Sequence, residues 1–433
     1  MDEILVRTHL LNAQNEISAA LKLIDTGPET VIRPGDNLLD ILAQAEPGAV
    51  FSIDPQFVAD LSFYDLPKPV TLKNLIDPGP SRVDTNLNGP LLKGILQTTQ
   101  PNTVLSGLRL EGHTKDGTLI SPGSQNVLDR CLLMGSVDGQ HRGVAANNAD
   151  IRVSRCHVGN IWHSQDTQAV AGFNKTRNLL VEDSFLEASG ENIIFGGDDC
   201  ESESAIPQDI TITDCHLYKP PHWKDTPGLT VKNLYELKNC LRVVMKRCHL
   251  ENNWVNGQDG FAIVLTVRNQ DGGNPYATIE DCLIEDCIVT RSPAGVSILG
   301  RDYRNVSKIM RNMVLRKVRF EEINDTYSGN GRQMMISGGP KDFIVDQCRW
   351  NTVTNPHSAI VFDQEENKLE GFQYTGNYAH EGDYGIHGTS APGLGVKALD
   401  FYCPQGYTWE RNTIVDYAPY IVWPAGTELV PLP

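Results

Sequence analysis

The sequence predicts an all-β fold, a parallel solenoid, and three observations predict it. An eight-residue pattern recurs along the chain, a second short β-rich segment sits between its copies, and no amphipathic helices separate them. The pattern runs apolar, any, apolar, any, any, small or Cys, any, apolar. It stands as IRVSRCHV at 151–158, LLVEDSFL at 179–186, ITITDCHL at 210–217 and VVMKRCHL at 243–250. About eleven copies follow one another at irregular intervals. Their sixth positions are 108, 131, 156, 184, 215, 248, 282, 318, 348, 377 and 412, and six of these are Cys. The cysteines therefore mark a repeat position, not a disulfide framework, and all are expected as free thiols.

The intervening segments include NIIFG, NLYEL, AIVLTV, GVSIL, QMMIS and AIVFD, each bounded by Gly, Asn, Asp or Pro. Two or three strands per repeat describe one coil, whose inward residues stack on the same position of the next coil about 4.8 Å away. A small, soft Cys suits such a site. Barrels and dinucleotide-binding folds need a helix after each strand and are excluded.

A solenoid's ends must be covered. Residues 27–50 predict an N-terminal cap with a helix over 37–45 (Leu38, Leu39, Ile41 and Leu42 apolar), and 51–423 the solenoid itself. Residues 1–26 predict a helix with Leu10, Gln14, Ile17, Leu21 and Ile24 at steps of four and three. That seam fits trimerisation or attachment, and equally a second capping helix. Residues 424–433 are a short tail. The start has acids where a secretory signal has a basic segment, so it does not read as a leader.

The balance of 37 Lys+Arg against 54 Asp+Glu gives a net charge of −17, which argues against a nucleic-acid partner. No apolar run is long enough for membrane insertion. No CxxC pair is present, and no cofactor or metal is expected. In Cys156–His157, Cys215–His216 and Cys248–His249 the two residues face opposite sides of a strand, so they do not converge on one ion.

The repeat, with the stretch NLLVEDSFLEASGENIIFGG, resembles right-handed parallel β-helix proteins of the pectate-lyase-like superfamily over about residues 30–423. The segment TVKNLYELKNCLRVVMKRCHLENNWVNGQDGFAIVLTVRNQ is similar to a subgroup of bacterial β-helix proteins. The N-terminal helix feeding an Asp/Asn-rich β-helix resembles bacteriophage tailspikes and tail fibres. The resemblance implies a right-handed coil, a carbohydrate ligand and, from the phage side, a homotrimer in a virion. It carries over no catalytic residue: the His-Gly and Arg-x-Lys pieces of polygalacturonases are missing, as are the Asp-His elements near pectate lyase calcium sites.

Aligning the second strands by their apolar residues stacks Phe195, Tyr235, Leu265, Ile298 and Phe362 as one inward column. The outward columns are then Gly196, Glu236, Thr266, Leu299 and Asp363, and two residues on Asp198, Lys238, Arg268, Arg301 and Glu365. Three cations on consecutive rungs make a strip for an anionic glycan, with Arg268 and Arg301 clamping its acidic groups. Lys238 is the candidate base for elimination. Asp198 or Asp199 with Glu236 is the candidate carboxylate pair for hydrolysis. Trp223 and Trp254, in long turns, stack on sugars in the functional reading and pack their loops in the structural one. The plain alternative for the strip is an ordinary solenoid face whose charges neutralise one another.

Three functions remain open. One is a phage tailspike or fibre that binds a cell-surface polysaccharide, with or without depolymerising it, attached to the tail through its N-terminus. Another is a secreted bacterial polysaccharide lyase or glycoside hydrolase, and the last a non-catalytic structural virion protein.

Overall fold

In a computed structural model, residues 29–325, 329–363 and 368–431 are described. The expected helix of 1–26, its seam, and Glu365 lie outside them. The described residues divide into two compact units, one of 29–193, 208–216 and 227–230, the other of 194–207, 217–226 and those from 231 onward.

Both units wind as a parallel β-helix. In the first, one face stacks Glu29–Ile32, Ala49–Ile53, Val70–Asn74, Val104–Ser106, Val127–Asp129, Arg152–Ser154, Arg177–Glu182 and Gln208–Thr213, every pair parallel. The helix expected at the cap runs Leu38–Gln44. Asn37 caps it by accepting the Asp40 N–H at 3.3 Å, and Leu38 and Leu42 are buried.

The second unit shows all three faces of the coil. Cys240–Lys246, Ile279–Glu285, Arg311–Arg316, Ile344–Asp346, Gln373–Thr375 and Thr408–Glu410 form one. His249–Glu251, Ile288–Ser292, Arg319–Ile323, Arg349–Trp350, Tyr378–His380 and Thr413–Val415 form the next. Tyr235–Leu237, Phe261–Thr266, Ala294–Leu299, Arg332–Ser337, Ser358–Phe362 and Ile386–Gly388 form the third. A helix that the repeat does not foreshadow, Val396–Tyr402, packs Ala398, Leu399 and Tyr402 inward.

The repeat has a local cause. Its fifth position turns the chain from one face to the next with a single left-handed residue: Arg130 (φ 50°), Arg155 (φ 54°), Asp183 (φ 40°), Asp214 (φ 57°), Arg247 (φ 50°), Lys317 (φ 52°) and Gln347 (φ 54°). The copy expected with Cys282 at its sixth position is shifted: its corner is Asp286 (φ 54°), and the strand register places it at 282–289 with Cys287 at the sixth position. The corner turns a carbonyl inward, and where the sixth residue is Cys or Ser its side chain satisfies that carbonyl. Cys156 Sγ donates to the Ser154 carbonyl at 3.2 Å, Cys215 to Thr213 at 3.3 Å and Cys248 to Lys246 at 3.2 Å. Ser184 does the same toward Glu182 at 2.8 Å. All ten cysteines are buried free thiols. Aromatic rings stack at rung spacing, Phe320 on Trp350 with centroids 4.8 Å apart and Tyr374 on Trp409 at 4.7 Å.

Candidate functional site

The third face of the second unit carries an open polar groove of about 510 Å³. Its lining includes Glu236, Lys238, Gln258, Asp259, Thr266, Arg268, Tyr303 and Arg304. Outward residues of successive strands make its floor, in the register Glu236–Val264–Ser297–Met335.

That register corrects the sequence alignment by two residues. Leu237, not Tyr235, pairs with Leu265, and the inward column runs Leu237, Leu265, Ile298, Ile336, Phe362. Tyr235 and Leu237 are both fully buried. A slip of one residue would have exchanged the faces, but a slip of two leaves the inward–outward pattern intact. The hydrophobic pattern is therefore blind to it. Glu236 stands level with Val264 instead of Thr266, and Lys238 moves up beside it.

Glu236 is the most enclosed charged group of the groove, its side chain only 2% exposed. Asn233 Nδ2 donates to Glu236 Oε2 at 2.7 Å and also reaches Gln258 Oε1 at 3.0 Å. Lys238 Nζ stands 3.3 Å from Glu236 Oε1. The aliphatic stem of Lys238 lies across Gly197 (φ 104°), where an added Cβ would stand 2.8 Å from Lys238 Cδ. The Gly-Gly run thus has a packing reason. The Lys238 amide donates to the Phe195 carbonyl at 2.8 Å, and its own carbonyl accepts the Arg268 amide at 3.0 Å. Arg268 Nη1 reaches Asp302 Oδ1 at 3.3 Å, and its guanidinium sits 5.1 Å from the Tyr303 ring centroid.

The other expected site residues are placed elsewhere. Asp199 Oδ2 accepts the Gly273 and Asp271 amides at 2.7 and 3.2 Å, anchoring a loop. Asp198 is exposed, and neither aspartate lines the groove. Arg301 does not line it either; its Nε is sealed from solvent, and Arg304 takes the place expected for it. Asp363 accepts from Thr389 Oγ1 at 3.0 Å, away from the groove lining. Trp223 and Trp254 are 5% and 4% exposed, so they pack their loops and present no stacking face. Gln258, Asp259, Tyr303 and Arg304 escaped the sequence reading because they sit in loops, which carry no repeat pattern.

One histidine cluster was also not foreseen. In the first unit Asp116, His141 and His163 bring ligand-type atoms within 4.8 Å of one another. The Gln165 N–H donates to His163 Nδ1 at 3.1 Å, so that nitrogen carries a lone pair. His141 Nε2, 3.0 Å from the same atom, must then donate, and His163 Nε2–H faces Asp116 at 3.6 Å. The two imidazoles satisfy each other as a hydrogen-bonded chain.

No protein-family profile matches the chain, and no curated protein does. Among solved structures it is similar to the pectate lyase Pel9A, at 11% identity and TM-score 0.46 over 71% of this chain and 78% of that one. It is similar to a mannuronic acid specific polysaccharide family 6 lyase from human gut microbiota, at 10% identity and TM-score 0.46 over 94% and 91%. It is also similar to the tailspike gp49 of Acinetobacter baumannii bacteriophage Fri1, a capsular polysaccharide depolymerase, at 9% identity and TM-score 0.45 over 92% and 62%.

Proposed function

We propose that the chain binds an acidic cell-surface polysaccharide in the groove of its second unit and cleaves it there, as a tailspike-type depolymerase. The observation that supports this best is Glu236, a carboxylate almost sealed from solvent yet set in the floor of an open polar groove. Burying an ionisable side chain costs several kcal/mol unless partners compensate. Asn233 and Lys238 do so here, and they hold one carboxylate in a fixed orientation, as acid–base chemistry requires. Asp259 lines the same groove and supplies the second carboxylate of a hydrolytic pair. Lys238 is engaged with Glu236, so hydrolysis has more support than an elimination needing a free amine.

The charges of the groove are segregated. Glu236, Lys238 and Asp259 leave one end with net negative charge, whereas Arg268 and Arg304 with Asp302 leave the other net positive. A glycan bearing acidic groups matches the second end and presents its bond to the first. The ten buried thiols support folding in a reducing cytosol, as a virion protein does before assembly, over folding in an oxidising compartment. A secreted bacterial hydrolase or lyase shares the groove chemistry and is separated from the virion reading by oligomeric state.

The test is a panel of acidic and neutral bacterial polysaccharides, followed for binding and for new chain ends, with wild type and Glu236→Gln. The expected result is binding of an acidic member by both proteins, and cleavage by wild type only. Binding without cleavage by wild type would leave an adhesin. No binding to any member would favour the structural virion part.

A further inference from the structure

The loops that wall the groove are locked together by one buried carboxylate. Asp302 is 6% exposed, although its neighbours Tyr303 and Arg304 are exposed. Asp302 accepts the Asn269 amide at 2.8 Å, the Arg304 amide at 2.8 Å and the Arg268 guanidinium at 3.3 Å. Asn269, itself buried, donates to the Val306 carbonyl at 2.8 Å and accepts the Asn274 amide at 2.8 Å. Asn305 closes the lock by donating to the Asn269 carbonyl at 2.8 Å.

The lock presents a particular surface. Tyr303 is 56% exposed, and the guanidiniums of Arg268 and Arg304 each lie 5.1 Å from its ring centroid. Two cations that repel each other are thus held on one ring by its electron-rich face. Asp302 neutralises the charge of Arg268, and the cluster keeps about one unit of positive charge. Among the described residues the Arg304 guanidinium has no hydrogen bond or ion pair, so its fork of N–H donors faces the groove unused.

We propose that Arg268, Tyr303 and Arg304 form a subsite for a singly charged oxyanion on the sugar, a carboxylate or a sulfate ester, and that Asp302 is the residue that positions it. The inference rests on the glycan reading of the groove. The guanidinium forks take the two oxygens, since planar donors match planar or tetrahedral oxyanions bidentately. Asp302 touches no ligand. It fixes where the two loops meet, and through them the angle between the guanidiniums.

The test uses the full chain and calorimetric binding of three oligosaccharides of equal length, one uronate-bearing, one sulfated and one neutral. Wild type is expected to bind at least one acidic oligosaccharide and to bind the neutral one at least tenfold more weakly. Arg304→Gln should weaken the acidic interaction roughly tenfold, equivalent to one lost charge-assisted contact, and leave the fold unchanged. Asp302→Asn separates positioning from simple charge. Removing a negative charge would strengthen anion binding if only net charge mattered, whereas loss of the lock weakens it despite the added positive charge. Weaker binding with unchanged circular dichroism supports the positioning role, and tighter binding overturns it. Acidic and neutral oligosaccharides bound equally, or an unaffected Arg304→Gln, would overturn the subsite while leaving the glycan groove standing. No binding of any of the three would overturn the groove reading itself.

Discussion

In the first unit the Asp129 carboxylate is held by Arg130 Nε at 2.8 Å and by Arg155 Nη2 at 2.6 Å. Arg130 also reaches Asp77 at 2.5 Å and the Gly79 carbonyl at 2.9 Å, and Arg155 reaches the Pro80 carbonyl at 3.2 Å. In the second unit Asp302 likewise gathers Arg268 and backbone amides, yet Arg304 beside it is left with only a ring to rest on. Both regions put two arginines around one buried aspartate. In the first, the donors named are spent tying down the loop after the strand Val70–Asn74. In the second, donors remain and face a groove. Charge density marks neither region as a site; unused donors above a concave floor mark one.

The largest effect expected from this contrast is on stability. Asp129→Ala strands two guanidiniums around a vacated buried position and should cost about 3 kcal/mol. Denaturant unfolding measures the loss, and glycan binding by the folded protein should be unchanged. If binding also fell, the two regions would not be separable in the way described. A smaller effect comes from Gly197→Ala, which places a side chain at φ 104° and 2.8 Å from Lys238 Cδ. About 1–2 kcal/mol of backbone strain is expected, together with a displaced Lys238 and weaker cleavage. Full activity in this variant would mean that Lys238 need not lie where it does.

A pH effect follows from two histidines, one in each unit. Burial pushes His157 down to about 4, helped by Arg82, and His387 down to about 4, helped by His357 and Arg332. The unfolded chain takes up protons near 6.5 that the folded chain refuses. Stability is therefore full above pH about 6.5 and declines as pH falls toward 4. His157→Gln should flatten part of this decline in thermal melts across that window; an unchanged slope would remove His157 from the account. Smallest of all is the expectation for the thiols. Mass spectrometry of non-reduced protein should find ten free cysteines, and native disulfides would contradict the reducing-compartment argument.

Much of the fold was legible because its causes are local. The left-handed corner at Arg155 or Asp214, and the thiol of Cys156 or Cys215 that satisfies its carbonyl, recur at the same places within each copy and leave a readable pattern. The site was legible only in part. Glu236, Lys238 and Arg268 could be found because they lie on or just after repeating strands. Their relative heights could not, since a two-residue slip conserves the alternation that alignment depends on. Tyr303 and Arg304 were hidden for another reason: Asp302 brings them to Asn269 across 33 residues of sequence, through hydrogen bonds that no periodicity announces.

The central claim is that the spare positive charge of the groove in the second unit recognises an acidic glycan. Its most direct test is the affinity of wild type and Arg268→Ala for an acidic polysaccharide, measured at low and at physiological salt. Charges facing solvent are screened beyond about 8 Å at physiological ionic strength. The wild-type affinity should fall steeply as salt rises. Arg268→Ala should bind more weakly at low salt and lose part of that salt dependence, and the protein should also lose stability because the buried Asp302 carboxylate is left without its guanidinium. Equal affinities and equal salt slopes for the two proteins would contradict the claim and place recognition on another face.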